Sequence, residues 1–160
     1  VGNLMLIAGW LDASPRLRLL TDTWQQLSIA APHTLSAVGA FASFSPAYLD
    51  AHPAAAHTPP LQPSPTTTRQ MQLANTVDLD AVASALTIPT LVISGTHDDV
   101  ASREQGRALF AAIPTARYTE VDSGHAMLRE RPAEILALIS AFVADPARYP
   151  AGAILPAAIV

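Results

Sequence analysis

Three short apolar runs constrain the fold of this 160-residue chain more than any other feature. They cover residues 4–8, 88–95 and 116–121, and the second is rich in β-branched residues and ends in glycine. The first run is continuous rather than alternating, which is typical of a strand buried on both faces of a parallel sheet. Because helical patterns separate the runs, the element order predicts an α/β fold with parallel strands and right-handed crossovers.

Helical periodicity fills most of the chain between the first two runs. Asp12 and Ser14 offer a turn or a helix cap, and Pro15 suits the first position of a helix. Apolar residues then recur at helical spacing, which predicts a helix over 15–31. Weaker helical patterns follow over 33–44, 69–75 and 78–86, with Asp78 as a cap for the last.

A proline-rich stretch interrupts these helices. Residues 52–68 hold five prolines, at positions 53, 59, 60, 63 and 65. Proline removes a backbone donor and disfavours the interior of a helix, so this stretch is predicted to be a loop.

Two further helices are predicted after the second and third runs. Ser102 and Gln105 have the spacing of a capping box at the start of the first, which Pro114 ends. Pro132 stands near the start of the second, whose apolar stripe is Ile135, Leu138, Ile139, Phe142 and Val143.

Composition and charge exclude several classes of function. A net charge of −4 leaves no basic surface for nucleic acid, and the chain has no cysteine for disulfides or thiolate chemistry. No apolar run reaches the roughly 18 residues that would cross a bilayer, so a cytoplasmic protein is expected. His33, His52 and His57 lack the spacing of metal ligands. We expect no metal and no cofactor, and a small molecule as the partner.

The start of the chain indicates a missing part. The sequence opens on Val1 rather than Met, and its most apolar run lies within a few residues of that start. Three strands also make a thin sheet with at least one edge unpaired. We therefore expect that a larger sheet precedes this chain.

Two side chains that suit proton chemistry follow the second and third runs. Asp98 stands three residues after Gly95, and His125 follows Gly124. Reactive groups collect beyond the carboxyl ends of parallel strands, so these two are expected to meet there. A carboxylate on one ring nitrogen fixes the tautomer of a histidine and leaves the other nitrogen free as a general base.

Other assignments of the acid and the base are weaker. Asp99 is adjacent to Asp98 and is expected to cap or to face solvent. Asp12 and Asp122 are interpreted as turn residues, and His97, as the sequence neighbour of Asp98, is expected to point away into solvent.

The combined pattern resembles the C-terminal end of the α/β-hydrolase family. The resemblance rests on residues 89–95, Asp98, Gly124-His125 and Glu130-x-Pro132 before a final amphipathic helix. It implies that residues 1–14 hold the sixth strand and its turn, 15–86 an inserted helical lid with the loop 52–68, 87–145 the core with the seventh and eighth strands and the closing helix, and 146–160 a tail.

The resemblance also implies a function. Asp98 would be the acid and His125 the base of a serine-type triad that cleaves a small ester or amide through an acyl-enzyme. The nucleophile elbow Gly-x-Ser-x-Gly and the His-Gly oxyanion loop are absent from the sequence, and in the family both precede the sixth strand. The chain alone is therefore expected to be inactive, with the N-terminal half of the same fold as its partner.

Alternatives within this resemblance stay open. The fold could serve as a non-catalytic binding protein, or as a related triad enzyme such as a cofactor-free haloperoxidase, a C–C bond hydrolase or a dehalogenase. Trp10, Trp24 and Phe41 would line the substrate pocket by the same resemblance, although core or lid packing also accounts for them.

Overall fold

The computed structural model describes residues 2–57 and 64–156. These residues form three strands and eight α-helices, and five of the helices lie between the first strand and the second. In chain order the elements are β1 (Leu4–Ile7), α1 (Pro15–Ala30), α2 (Pro32–Ser43), α3 (Pro46–Ala51), a 3₁₀ helix (Pro53–His57), α4 (Pro65–Ala74), α5 (Asp80–Ser84), β2 (Thr90–Gly95), α6 (Arg103–Ala112), β3 (Ala116–Val121), α7 (Met127–Glu130) and α8 (Pro132–Ala144).

The three strands form one parallel sheet in the order β1-β2-β3, so the predicted fold class is confirmed. Leu4 is level with Thr90, and Thr90 is level with Ala116. Every residue of the central strand β2 is buried, whereas all four residues of β1 are only partly buried. In the described part of the chain the outer edge of β1 has no strand partner.

The outer edge of β3 is covered by the segment that the sequence presented as a tail. The Leu155 N–H donates to the Tyr118 carbonyl at 2.7 Å, and the Tyr118 N–H donates to the Ala153 carbonyl at 3.0 Å. Tyr118 and Ile154 form an isolated parallel bridge. Residues 149–155 are therefore part of the core structure rather than a free tail.

Side chains of β2 alternate between two apolar layers, as the pleat of a strand requires. Leu91 and Ile93 pack with α8 in one layer, whereas Val92 packs with α6 in the other. The stripe predicted for the last helix faces the first layer through Ile135, Leu138 and Phe142.

Prolines explain why the predicted loop over 52–68 is wrong at both ends. The 3₁₀ helix begins at Pro53 and α4 begins at Pro65. At the first position of a helix the missing N–H of proline costs nothing, since that donor has no partner within the helix. Residues 58–63 of the predicted loop lie outside the described residues.

Residues 15–76 are defined here as the helical insert, and the chain segments on either side of them meet at the end of β1. The Ala13 N–H donates to the Val77 carbonyl and the Leu79 N–H donates to the Leu11 carbonyl, both at 3.0 Å. The insert therefore leaves and rejoins the sheet at one place, above the carboxyl end of β1.

The predicted capping box at α6 is wrong, because neither of its two side-chain bonds forms. Ser102 is the N-cap residue of α6 but its side chain makes no capping hydrogen bond, and the Gln105 side chain turns to the segment after β1. Its Oε1 accepts the Leu11 N–H at 3.0 Å, and its Nε2 donates to Asp12 at 2.7 Å. A glutamine amide offers both a donor and an acceptor, so it fixes this turn to α6.

Among the described residues, no helix combines the length and the apolar composition that a membrane crossing needs.

Candidate active site

Asp98 is anchored by the backbone that follows β2. Its Oδ1 accepts the N–H groups of Val100 at 2.9 Å and Ala101 at 2.8 Å, and its side chain has no exposed surface. These two bonds hold the carboxylate in one orientation, with Oδ2 free for another partner.

His125 supplies that partner from the loop after β3. Its Nδ1 lies 3.0 Å from Asp98 Oδ2, and its side chain is 31% exposed. The buried carboxylate selects the tautomer with the proton on Nδ1, so Nε2 carries the lone pair. In the described part of the chain Nε2 has no hydrogen-bond partner. The arrangement can take up and return a proton at Nε2.

Two glycines let the loops of this pair approach closely. A Cβ on Gly95 would lie 2.8 Å from the Gly124 carbonyl oxygen, and a Cβ on Gly124 would lie 2.6 Å from the Ser43 oxygen. Atoms that close overlap, so a larger residue at either position would push the loops apart. The sequence pattern of glycine before each functional residue thus has a steric cause.

The competing carboxylates have other partners. Asp99 pairs with Arg16 at 2.5 Å, and Asp12 accepts from Gln105. Asp122 lies 2.9 Å from His97 Nε2, in a pair that is 49% exposed at the histidine and 73% exposed at the aspartate. The exposure of His97 was expected from the sequence, but its partner was not.

An apolar cavity of about 320 Å³ lies beside the residue that follows His125. It is enclosed mainly by the helical insert, through Trp24, Phe44 and Met71, and Ala126 contributes from the histidine loop. A cavity of this size and lining suits a small, largely apolar group.

The three predicted substrate-binding aromatics lie in different places. Trp24 lines the cavity, whereas Trp10 packs with Leu17 and Val100 in a small core under α1. Phe41 is 73% exposed and does not line the cavity. Of the three, the structure thus brings Trp24 alone to the cavity that Ala126 lines.

Sequence reasoning missed Glu130 and Ser45 beside this site. Glu130 accepts hydrogen bonds from both Ser45 and Gly124. In the sequence Glu130 belongs to the Glu130-x-Pro132 pattern, but that pattern predicted no function for its side chain. The remaining histidines of the insert are exposed, and no group of metal-ligating side chains occurs among the described residues.

Comparison with known proteins identifies the fold: the chain has the α/β-hydrolase fold. The expected resemblance is thereby confirmed at the level of the fold. No protein-family model matches the chain.

Three solved structures and one sequence relative illustrate the likeness. The enol-lactonase of Burkholderia xenovorans is 23% identical with a TM-score of 0.77, over 91% of this chain and 57% of that one. A thermophilic esterase of Thermogutta terrifontis is 19% identical with a TM-score of 0.71, over 91% and 56%. The non-heme bromoperoxidase candidate BpoC of Mycobacterium tuberculosis is 23% identical with a TM-score of 0.79, over 91% and 59%.

The sequence relative is the pyrrolizixenacetamide deacetylase of Xenorhabdus hominickii. It is 33% identical over 75 residues, which are 47% of this chain and 28% of the deacetylase. This chain therefore spans only a part of the length of each of these proteins.

Proposed function

We propose that this chain is the C-terminal portion of a serine-type α/β hydrolase that cleaves a small ester or amide through an acyl-enzyme. The observation that carries the proposal is the contact of His125 Nδ1 with the buried, backbone-anchored Asp98. The serine and the oxyanion donors come from residues outside this chain.

In this proposal His125 takes up a proton and then releases it in each half of the reaction. Its Nε2 takes the proton of the serine hydroxyl while the serine oxygen attacks the substrate carbonyl carbon, and then gives that proton to the leaving alcohol or amine. A water molecule repeats the sequence on the acyl-enzyme and releases the acid. Asp98 stays ionised and stabilises the imidazolium formed in each half of the cycle.

The substrate class follows from the cavity and from the relatives. The cavity of about 320 Å³ is lined mainly by apolar residues, with Arg129 among them, and suits a short, largely apolar acyl or leaving group. An esterase, an enol-lactonase and a deacetylase are among the similar proteins, and all three names describe cleavage of an acyl–oxygen or acyl–nitrogen bond.

The unpartnered edge of β1 supports the expectation of a missing half. Its backbone donors and acceptors need a further strand or water, and its apolar side chains are only partly covered. In the proposal the remaining strands of the sheet pair there and bring the nucleophile toward His125. We therefore expect no hydrolysis by the chain on its own.

The test is expression from the complete reading frame, followed by rapid mixing with p-nitrophenyl acetate and butyrate. We expect a burst of about one equivalent of p-nitrophenol per enzyme and a matching acyl mass on a serine upstream of this chain. A folded protein that hydrolyses no ester, lactone or anilide would overturn the proposal. Alanine or glycine at the upstream elbow would instead support a binding protein.

A further inference from the structure

The carboxylate of Glu130 connects the histidine loop to the helical insert. Its Oε1 accepts the Ser45 N–H at 2.9 Å and the Gly124 N–H at 3.1 Å, while its Oε2 accepts the Ser45 hydroxyl at 2.6 Å. Ser45 is buried and caps α3. In the described part of the chain no cation pairs with Glu130, so neutral donors alone hold the carboxylate.

These bonds fall on the residues that flank His125. Gly124 donates to Glu130, and on the other side the Ala126 N–H donates to the Ser43 carbonyl at 2.8 Å. The space between Gly124 and the insert leaves no room for a Cβ, which would lie 2.8 Å from Ser45 N. The backbone of His125 is thus held on both sides by the junction of α2 and α3.

We propose that Glu130 is a positioning residue for His125, which sets the orientation of the imidazole according to how the helical insert is seated. The inference rests on the proposed function, because only a proton-transferring histidine needs such control. An ionised carboxylate can accept all three bonds at once. A glutamine could keep its oxygen on the two N–H groups and donate from Nε2 to the Ser45 hydroxyl oxygen, whereas methionine, of similar length, accepts none of the three bonds.

Misplacement of a reacting group by about 1 Å can cost up to about 100-fold in rate. For Glu130→Met in the complete protein we therefore expect kcat to fall about 10-fold to 100-fold, with KM changed by less than about 3-fold. The NMR resonance of the proton between His125 Nδ1 and Asp98 should shift, since the ring moves relative to Asp98. Asp98 is the one charged group that contacts this ring among the described residues.

Ser45→Ala and Ser14→Ala form a matched pair that separates positioning from folding. Each serine accepts an N–H at the start of a helix in the insert, at 3.2 Å from Tyr48 and from Leu17 respectively. Loss of either cap should lower Tm by about 2–4 °C. Only Ser45 contacts Glu130, so only Ser45→Ala should also shift the His125 Nδ1–H resonance and lower kcat.

The NMR resonance of His125 does not depend on hydrolysis, so the two proposals can fail separately. If no substrate is cleaved, a His125 Nδ1–H resonance that shifts in Glu130→Met and Ser45→Ala but not in Ser14→Ala still supports the positioning role. If Glu130→Met and Ser45→Ala only lose stability, with the His125 resonance and kcat equal to those of Ser14→Ala, the inference is wrong and Glu130 is a structural tether.

Discussion

Two histidine–carboxylate pairs lie at the carboxyl end of the sheet, and they join the same two loops in opposite directions. The loop after β2 gives Asp98 to His125, and it gives His97 to Asp122. The two distances are nearly equal, 3.0 Å and 2.9 Å. The distance between the two residues therefore does not separate the proposed catalytic pair from the exposed pair.

Burial and anchoring separate the two pairs. Asp98 is fully covered and receives two backbone N–H groups, so water cannot screen it and it cannot turn away. Asp122 is mostly exposed and shares its oxygens with Thr96 and Arg131. An exposed pair of this kind contributes at most about 1 kcal/mol and is weakened by salt.

The largest expected effect is on the buried pair. In the complete protein, Asp98→Asn should keep an acceptor for Val100 and Ala101 but place an N–H opposite His125 Nδ1, which favours the wrong tautomer. We expect kcat for ester hydrolysis to fall by about 10³-fold to 10⁴-fold, and His125→Ala to lose at least as much. Activity within about 10-fold of the wild type in either variant would remove the basis of the comparison.

A second prediction concerns the glycines that allow the buried pair to form. Gly124→Ala should destabilise the fold by about 2–4 kcal/mol, because its Cβ meets backbone of residues 43–45 that cannot move aside cheaply. Urea unfolding measures the change. The control is Gly39→Ala in α2, where a Cβ meets nothing within 4 Å; it should stabilise by about 0.5–1 kcal/mol.

Glu120 is intermediate in burial between Asp98 and Asp122, and its contribution to stability depends on pH. Burial raises the pKa of Glu120, but hydrogen bonds from Arg103, Tyr118 and Arg107 outweigh burial and hold that pKa below its ordinary value. Its contribution to stability is therefore present above the unfolded pKa of about 4.3 and is lost as the pH falls through the lower folded pKa.

Glu120→Gln should accordingly cost about 1 kcal/mol of unfolding free energy at pH 7. The gap to the wild type should close as the pH falls through the folded pKa of Glu120, below which both proteins are neutral at this position. Thermal unfolding at a series of pH values measures it. A gap that is constant with pH would mean that shape rather than charge accounts for the loss.

The smallest effect is expected for the exposed pair. His97→Ala and Asp122→Asn should each change the unfolding free energy by less than about 0.5 kcal/mol and kcat/KM by less than about 2-fold. A tenfold loss of activity in His97→Ala would show that the exposed pair takes part in the chemistry and that burial is a poor guide here.

The sequence was most informative where each element is defined locally. The three strands, the order of the helices and the placement of Asp98 and His125 beyond neighbouring strands follow from apolar runs, glycines and helix caps. The contact of Gln105 with Asp12 and that of Glu130 with Ser45 join residues 93 and 85 positions apart. Such pairs leave no local pattern, because either member alone is an ordinary polar surface residue.

The covered edge of β3 was missed for a related reason. Residues 149–155 contain proline and glycine and lack the regular pattern of a strand, so nothing in that stretch marks it as a partner for Tyr118. The pairing exists because the edge of β3 offers unsatisfied donors and acceptors. The sequence alone shows residues 149–155, but it does not show that they form hydrogen bonds with the edge of β3.

Among the described residues five α-helices begin with a proline, and four of these, which start at Pro15, Pro32, Pro46 and Pro65, lie in the helical insert. The small cores of the insert hold few large buried side chains. Proline reduces the freedom of the unfolded chain by about 0.4–1 kcal/mol per compatible site. These prolines therefore lower the entropy that the insert loses on folding, which offsets in part the small apolar burial beneath it.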